Sequence, residues 1–549
     1  MIKNQEINGK GINYLILGAA LVTLILTPII NGDSLIIPKL VLLFCIGMYL
    51  FPKILVSIRK YFSSLILKYL FIISILFVVQ MTLVMVISSA PFEQEFYGRG
   101  GRSLGFATYF SLIVILLYSA AYSNFKSIQI LNLGLSITCI ITSLYSIAQY
   151  YGYDVFEWET RTNGIIGTLG NPNFQSSFAA MALIPTLVSF WKFKFRIVFT
   201  TLSTFILLFT IYISQSTQGY IAVVASFGVL TLLYLWYRNR LLFSISGITF
   251  GIFSLFILLG MRNLGPLSQY LYKTSVVSRE EMWRTAFAAA NDNPLFGVGL
   301  DSFGDVSLLY RDQKTANGVA EYADNAHNFF LQFALTGGYL LAILSLALII
   351  LTIVCLYKIQ KSIGNFDRNT SALIACWICF QMQSLISPSN ISMLTWNYII
   401  SGVLIGVASK SSILIQSQNG NSSNNNFVKP FSYLFLVFAL IIVYPYFNAD
   451  RVAFETTKTL DATAAVNAAK MYPESSVRYQ RLGLALYNSK LYDLSLDVAR
   501  SATKFNSNHL AGWFLILVNE QSPLEERKFA KLKILELDPF NKEVQQYKF

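Results

Sequence analysis

The sequence predicts an all-α membrane protein of about 12–13 spans, with one large polar loop and a small helical domain at its C-terminal end. Three observations lead there. Hydrophobic residues make up 54% of the chain and charged residues only 13%, with mean hydropathy +0.54, whereas soluble chains carry about 25% charge. Apolar runs long enough to cross a hydrocarbon core of roughly 30 Å, which takes about 20 residues, recur from Ile12 to Phe447. That series is broken only once at length, over residues 261–327.

Taken in order, the apolar runs lie near 12–30, 36–57, 65–89, 103–122, 128–150, 173–191, 197–214, 219–237, 241–260, 328–357, 370–388, 393–410 and 428–447. The first follows MIKNQEINGK, is span-length and has no small-residue cleavage site after it, so it reads as a retained helix. With the N-terminus in the cytoplasm, one alternate set of connectors carries Arg59, Lys60, Lys68, Lys126, Lys192, Lys194, Arg196, Arg238, Arg240, Lys358, Lys361, Arg368, Lys410 and Lys429. Every inside loop is then basic, as the positive-inside rule requires. The net charge of +13 is thereby spent on topology, and no basic patch for nucleic acid remains. Loops 90–102, 151–172, 214–219 and 261–327 all face outward in this arrangement, together with the tail. The stretch 416–426, QSQNGNSSNNN, reads as a flexible cytoplasmic linker.

All five cysteines fall inside apolar runs, which argues against a disulfide framework. Cys376 and Cys379 have the CxxC spacing, but mid-span they read as packing residues. The chain divides into a membrane part, 1–447, and a tail, 448–549. In the tail, Met471-Tyr-Pro…Tyr479 returns as Phe505-Asn-Ser…Trp513, a shift of 34 residues. That period in Ala- and Leu-rich helices is the tetratricopeptide signature, which presents a concave surface to a protein partner. His509, with no polar cluster near it in sequence, reads as an ordinary surface residue.

The outward loops hold the unusual chemistry. In SREEMWRTAFAAANDNPLFGVGLDSF (278–303), Ser278 and Glu281 have capping-box spacing, so Arg279 is expected at the first position of a three-turn helix. A cation there opposes the helix dipole. Two readings account for it: a pairing with Glu280 or a loop carboxylate, or joint recruitment of an anion such as phosphate by Arg279 and the free helix amides. Trp283 follows one turn later, positioned to pack on a lipid or sugar. Asp301 and Asp305 lack the further ligands a metal site needs. In AHNFFLQFALTGG (326–338), His327 stands at the outer end of the tenth span, where a neutral imidazole can accept a proton from a hydroxyl. The plainer alternative is an interface residue bonded to a loop carbonyl. Gly337-Gly338 permits close helix approach. Two further loops add Arg99 and Arg102 in FYGRGGRSLGF (96–106), and Arg161, Asn171 and Asn173 in RTNGIIGTLGNPNF (161–174). Single arginines at an interface often only snorkel; several on one face beside a histidine point to an anionic headgroup.

At these residues the chain resembles the O-antigen ligase and polymerase superfamily, which includes the bacterial protein O-oligosaccharyltransferases. The resemblance spans roughly residues 90–390. It rests on the GNPN turn at 170–173, the Arg…Trp…Pro-Leu-Phe-Gly-Val-Gly stretch at 279–299, and the pair His327-Asn328. It implies an inverting glycosyltransferase of the cytoplasmic (inner) membrane. That enzyme would use a polyprenyl-pyrophosphate-linked glycan, with neither a cofactor nor a required metal, and transfer it to a lipid, glycan or protein hydroxyl. By the same resemblance Arg279 and His327 match the essential arginine and histidine. Arg99, Arg102, Arg161, Asn171, Asn173, Gln218, Trp283 and Asn328 are the candidates for substrate binding. In one departure, Ser216-Thr-Gln218-Gly219 carries Gln where relatives have Arg, leaving Arg161, Arg99 and Arg102 as candidates to compensate. The rival class is a flippase or transporter of lipid-linked glycans, which expects mid-span charges, broken helices and repeated halves. A third, an inert scaffold presenting its tail, leaves the arginine–histidine face without a role.

Overall fold

The computed structural model describes residues 10–156, 158, 164–191, 193–317, 322–411, 425–459 and 461–549. Each of the thirteen expected apolar runs contains one helix: α1 (Lys10–Leu24), α2 (Ile37–Val56), α3 (Leu65–Ile87), α4 (Phe106–Tyr122), α5 (Phe125–Tyr150), α6 (Pro172–Ser189), α7 (Arg196–Ile213), α8 (Thr217–Arg238), α9 (Arg240–Met261), α10 (Phe329–Ile363), α11 (Arg368–Ser384), α12 (Ile391–Ser411) and α13 (Asn425–Thr459). Among the described residues no strand is formed, and nine of these helices are long and apolar enough to cross a membrane. The expected count of 12–13 therefore exceeds what length and composition support.

The four that fall short are α1, α4, α6 and α11. Of these, α4, α6 and α11 are short or polar for a physical reason. They are packed on nearly all sides by other helices, as the buried runs Ser111–Ala121 and Phe174–Thr186 show. A helix enclosed by protein does not need a lipid-compatible surface, and it can carry small and hydroxylated residues whose side chains return to their own backbone. Thr186 does so to the Ala182 carbonyl at 2.8 Å.

The loops gather on one face. Lys39, fully buried at the start of α2, donates to the carbonyls of Thr23 and Thr168 and to Ser392 Oγ. It thereby joins α1, the 164–171 turn and α12. The opposite face collects the basic connectors: Lys60 lies over the Tyr122 ring, Lys410 donates to the Ser123 carbonyl, and Arg196 and Arg368 sandwich Trp191 at 4.6 and 4.3 Å.

The large loop is seated on α10. Val298 N donates to Leu335 O (2.7 Å), Tyr339 N to Pro294 O (2.8 Å), and Gln80 Nε2 to both Leu295 O and Gly337 O (2.8 and 2.9 Å). Gly338 is left-handed (φ 80°), and a Cβ there would meet Leu295 O at 2.2 Å. This glycine is required twice, for its conformation and for its closeness to the loop.

Beyond the bundle, α13 continues as helix to Thr459 and is followed by α14 (Ala462–Ala469), α15 (Ser476–Asn488), α16 (Tyr492–Phe505), α17 (Leu510–Val518), α18 (Leu524–Leu537) and α19 (Lys542–Gln546). They enclose two small cores, one around Tyr479 and Leu482 and one around Leu515 and Ile516. His509 is not at the surface: its Nε2 bonds Ser476 O at 2.9 Å and its Nδ1 accepts from Gly512 N, so it is a buried helix cap. The tail docks on the loop face through the buried Arg311–Asp538 pair and through Asp305, which accepts from Asn506, Gln94 and Arg99.

Candidate active site

The helix that carries Arg279 runs Thr274–Asp292, capped from Lys273 rather than Ser278. Arg279 therefore sits in its second turn, and the expected capping box is absent. Its guanidinium neither pairs with Glu280 nor meets free helix amides. Nε donates to the Ile386 carbonyl (2.8 Å) and Nη1 to Ser275 O (2.7 Å); Glu280 instead faces Arg284 at 3.6 Å. Two carbonyls orient the cation without neutralising it, and burial lowers its pKa.

His327 ends the loop with φ 52°, a conformation that costs a β-carbon residue of order 1–3 kcal/mol and points to a constrained site. Its N–H donates to Asn325 Oδ1 (2.8 Å), while its Nδ1 is buried with no partner. Burial first, then the charges of Arg102 and Arg279, push its pKa down to about 4, against a smaller opposing pull from Asp324. The imidazole is thus neutral at pH 7, with two guanidiniums near enough to act on it. Arg102 is held by Asp324 in a bidentate pair, both bonds 3.0 Å. Asp324 itself remains anionic, because Arg102 outweighs its burial and lowers its pKa.

Four of the sequence candidates have other placements. Arg99 is paired with Asp305 at the tail joint and donates its backbone N–H to Asp301 (2.8 Å), so it braces the loop rather than lining the His327 site. Asn328 caps α10, accepting from Phe330 and Leu331 N–H (both 3.1 Å) and donating to Leu385 O. Asn171 caps α6 through Asn173 N–H at 2.8 Å. Arg161 lies outside the described residues. Trp283, one turn after Arg279, keeps a buried indole N–H with no partner.

Asn173 and Gln218 join a connected chain. Ser216 Oγ donates to Asn173 Oδ1 (2.6 Å), Ser387 Oγ donates to the buried Gln218 Oε1 (3.2 Å), and the neighbouring Ile386 carbonyl holds Arg279. The 385–390 turn is therefore the hub of the site, since it contacts Asn328, Arg279, Gln218 and, through Asn390, Leu169 O (3.1 Å). Sequence reading missed it, along with Asp324 and Lys39. The signal was present as Ser387-Pro-Ser-Asn390, a helix-breaking run between two spans.

Beneath this turn lies a narrow groove of about 630 Å³ between α4, α10, α11 and α12. Phe329, Phe333, Leu348 and Leu394 supply its apolar wall, and Ser384 and Ser389 its loop-side end. Asp301, whose Oδ2 is shared by Arg99 and Leu104 N–H, lies behind that end; burial raises its pKa to about 7. Among the described residues no group of His, Cys, Asp and Glu is arranged to hold a metal ion, and the five thiols are buried and free.

No match to a curated protein is found. Residues 202–346, from the middle of α7 to the loop-side half of α10, match the family described as O-antigen ligase. That stretch contains Gln218, Arg279, Trp283, His327 and Asn328, so the chain carries a domain of the O-antigen ligase superfamily, within an all-α polytopic membrane protein.

Proposed function

We propose that the protein is an inverting glycosyltransferase that moves a polyprenyl-pyrophosphate-linked glycan to an acceptor hydroxyl at the outer face of the cytoplasmic membrane. The observation that carries this reading is the apolar groove ending directly below Arg279, Arg102 and His327. A long isoprenoid fits a narrow groove inside a bundle, and its headgroup then emerges among guanidiniums. Arg279 and Arg102 stabilise the diphosphate as the glycosidic C–O bond breaks, a contribution worth about 10²–10³ in rate for one lost donor. His327, neutral and with a vacant Nδ1, takes the proton of the hydroxyl that attacks the opposite face of the anomeric carbon.

The tail, with helix pairs beginning at Ser476 and Leu510, supports a tetratricopeptide-like module for a protein partner, and it tilts the acceptor toward one that a protein presents. A flippase reading gains the break at Gly338 in α10. That break, however, is filled by the 294–298 turn and opens no passage. The test uses vesicles loaded with lipid-linked glycan and acceptor. His327→Ala should insert normally, yet release polyprenyl pyrophosphate about 10²–10⁴ times more slowly. Undiminished release refutes the role of His327, and movement of intact lipid without release supports the flippase.

A further inference from the structure

The widest cavity among the described residues is not the groove below Arg279. It lies on the loop face between the end of α5, the 151–166 loop and the α7–α8 turn, with about 1330 Å³ of empty space. Its chemistry differs from the groove. Tyr150, Phe156 and Trp158 bring aromatic faces to it, and Gln215 stands at the α7–α8 turn with an exposed side chain.

The aromatic wall is fixed by one carboxylate. Asp154 accepts from Trp158 Nε1 (2.8 Å), Gln149 Nε2 (2.7 Å), Phe156 N (3.1 Å) and Tyr145 Oη (3.1 Å). With its N–H anchored at the back, the indole is held as a rigid platform, and Phe156 meets it edge-on at 6.1 Å. Nothing about the bundle requires this arrangement, since the loop buries little. Gln215 adds a second sign of a built site, because it is held at φ 52°, where a residue with a Cβ is uncommon. Among the described lining residues none is basic while Asp154 is anionic, so the cavity suits a neutral, hydroxyl-rich ligand and not a phosphate. Flat apolar faces beside a few fixed polar groups match a sugar ring, which is apolar on its C–H face and polar at its rim.

We propose that this cavity is a saccharide subsite that holds part of a substrate glycan away from the bond being made. The inference rests on the transferase reading above and names a binding site for the same reaction. Its distance from the chemistry fits. From Gln215 to Gln218 is about one helical turn, roughly 5 Å, and Gln218 is joined through Ser387 and Ile386 to Arg279. A short oligosaccharide bridges that gap. Pro172, which lines the cavity, follows Asn171 in the turn where Asn173 bonds Ser216, so the two sites share a wall.

The test uses the full chain in lipid nanodiscs and three probes: the glycan freed by mild acid from the host's polyprenyl-linked pool, lipid-free oligosaccharide from its acceptor, and polyprenyl pyrophosphate alone. Binding is titrated for the wild type, Trp158→Ala, Trp158→Phe and Gln215→Ala. The expected result is about tenfold weaker binding of one glycan by Trp158→Ala and Gln215→Ala, with partial rescue by Trp158→Phe. Loss with the first glycan assigns the cavity to the donor, and loss with the second assigns it to the acceptor. Equal binding of both glycans by all four proteins overturns the proposal, as does a wild type that binds neither. Polyprenyl pyrophosphate separates the two readings. If the wild type binds it but no glycan, only the cavity assignment falls. If it fails to bind that lipid, the transferase reading falls, and the cavity is judged on the glycan titrations alone.

Discussion

The electrostatics of His327 make a prediction that can be worked through before any substrate is known. Its pKa stands at about 4 because burial, Arg102 and Arg279 disfavour the imidazolium. A diphosphate bound by those guanidiniums reverses the sign of the local field. One net negative charge about 8 Å away, at an effective dielectric near 20, favours the imidazolium by ~2 kcal/mol, about 1.5 pKa units. Saturation with inorganic pyrophosphate should therefore lift His327 from about 4 toward 5.5–6, where it is a stronger base yet still neutral at pH 7. Linkage runs the other way as well: pyrophosphate should bind ~30-fold more tightly below pH 4 than above pH 6. The chain has only two histidines, so a histidine-labelled NMR titration resolves both, with His327→Gln giving the assignment. His509, buried at the tail joint with its own pKa lowered to about 4 by burial, is the internal control. A His327 pKa that stays put or falls when pyrophosphate saturates the protein refutes the shared site.

Other expectations follow from the same geometry. Replacing Arg279 with Lys should lower kcat/KM for lipid-linked glycan by about 10²–10³, because one ammonium cannot span the Ile386 and Ser275 carbonyls and also meet a phosphate; retention of near-wild-type rates in the vesicle assay refutes this. Arg99→Met strands the buried Asp305 carboxylate, so thermal melting should drop by the equivalent of ~3–5 kcal/mol and the tail should become protease-sensitive. Asp301 has a native pKa of about 7 against an ordinary 3.8. The folded state therefore holds the extra proton, and stability rises as pH falls from 7 toward 4. Asp301→Asn should flatten that trend, and melting curves at pH 7.5 and 5.5 measure it.

The legible parts of the sequence were those governed by a single repeated rule. Span length and loop charge located all thirteen helices, and the glycines at 337–338 marked the contact with the loop. The apolar count misled where helices are enclosed by protein, as in α6 and α11, since hydropathy measures fitness for lipid and not depth. His327 and Arg279 were found because titratable residues are scarce on a lipid-facing chain. The hub at 385–390 was not, because it acts through main-chain carbonyls, which every residue possesses. Arg99 was grouped with Arg102 by proximity in sequence, yet its partner, Asp305, lies about two hundred residues away. The burial of His509 has the same origin: it is enclosed by Ser476 and its own helix, a contact that composition does not encode.

The joint around Asp305 also orders events in time. That carboxylate collects donors from Gln94, Arg99 and Asn506, segments that leave the ribosome far apart, with the last among them close to the end of synthesis. A nascent chain with all its spans inserted still holds a loop whose anchoring acceptor is short one donor. Competence for chemistry is thus deferred until the final helices arrive, which keeps a half-made protein from engaging the lipid pool.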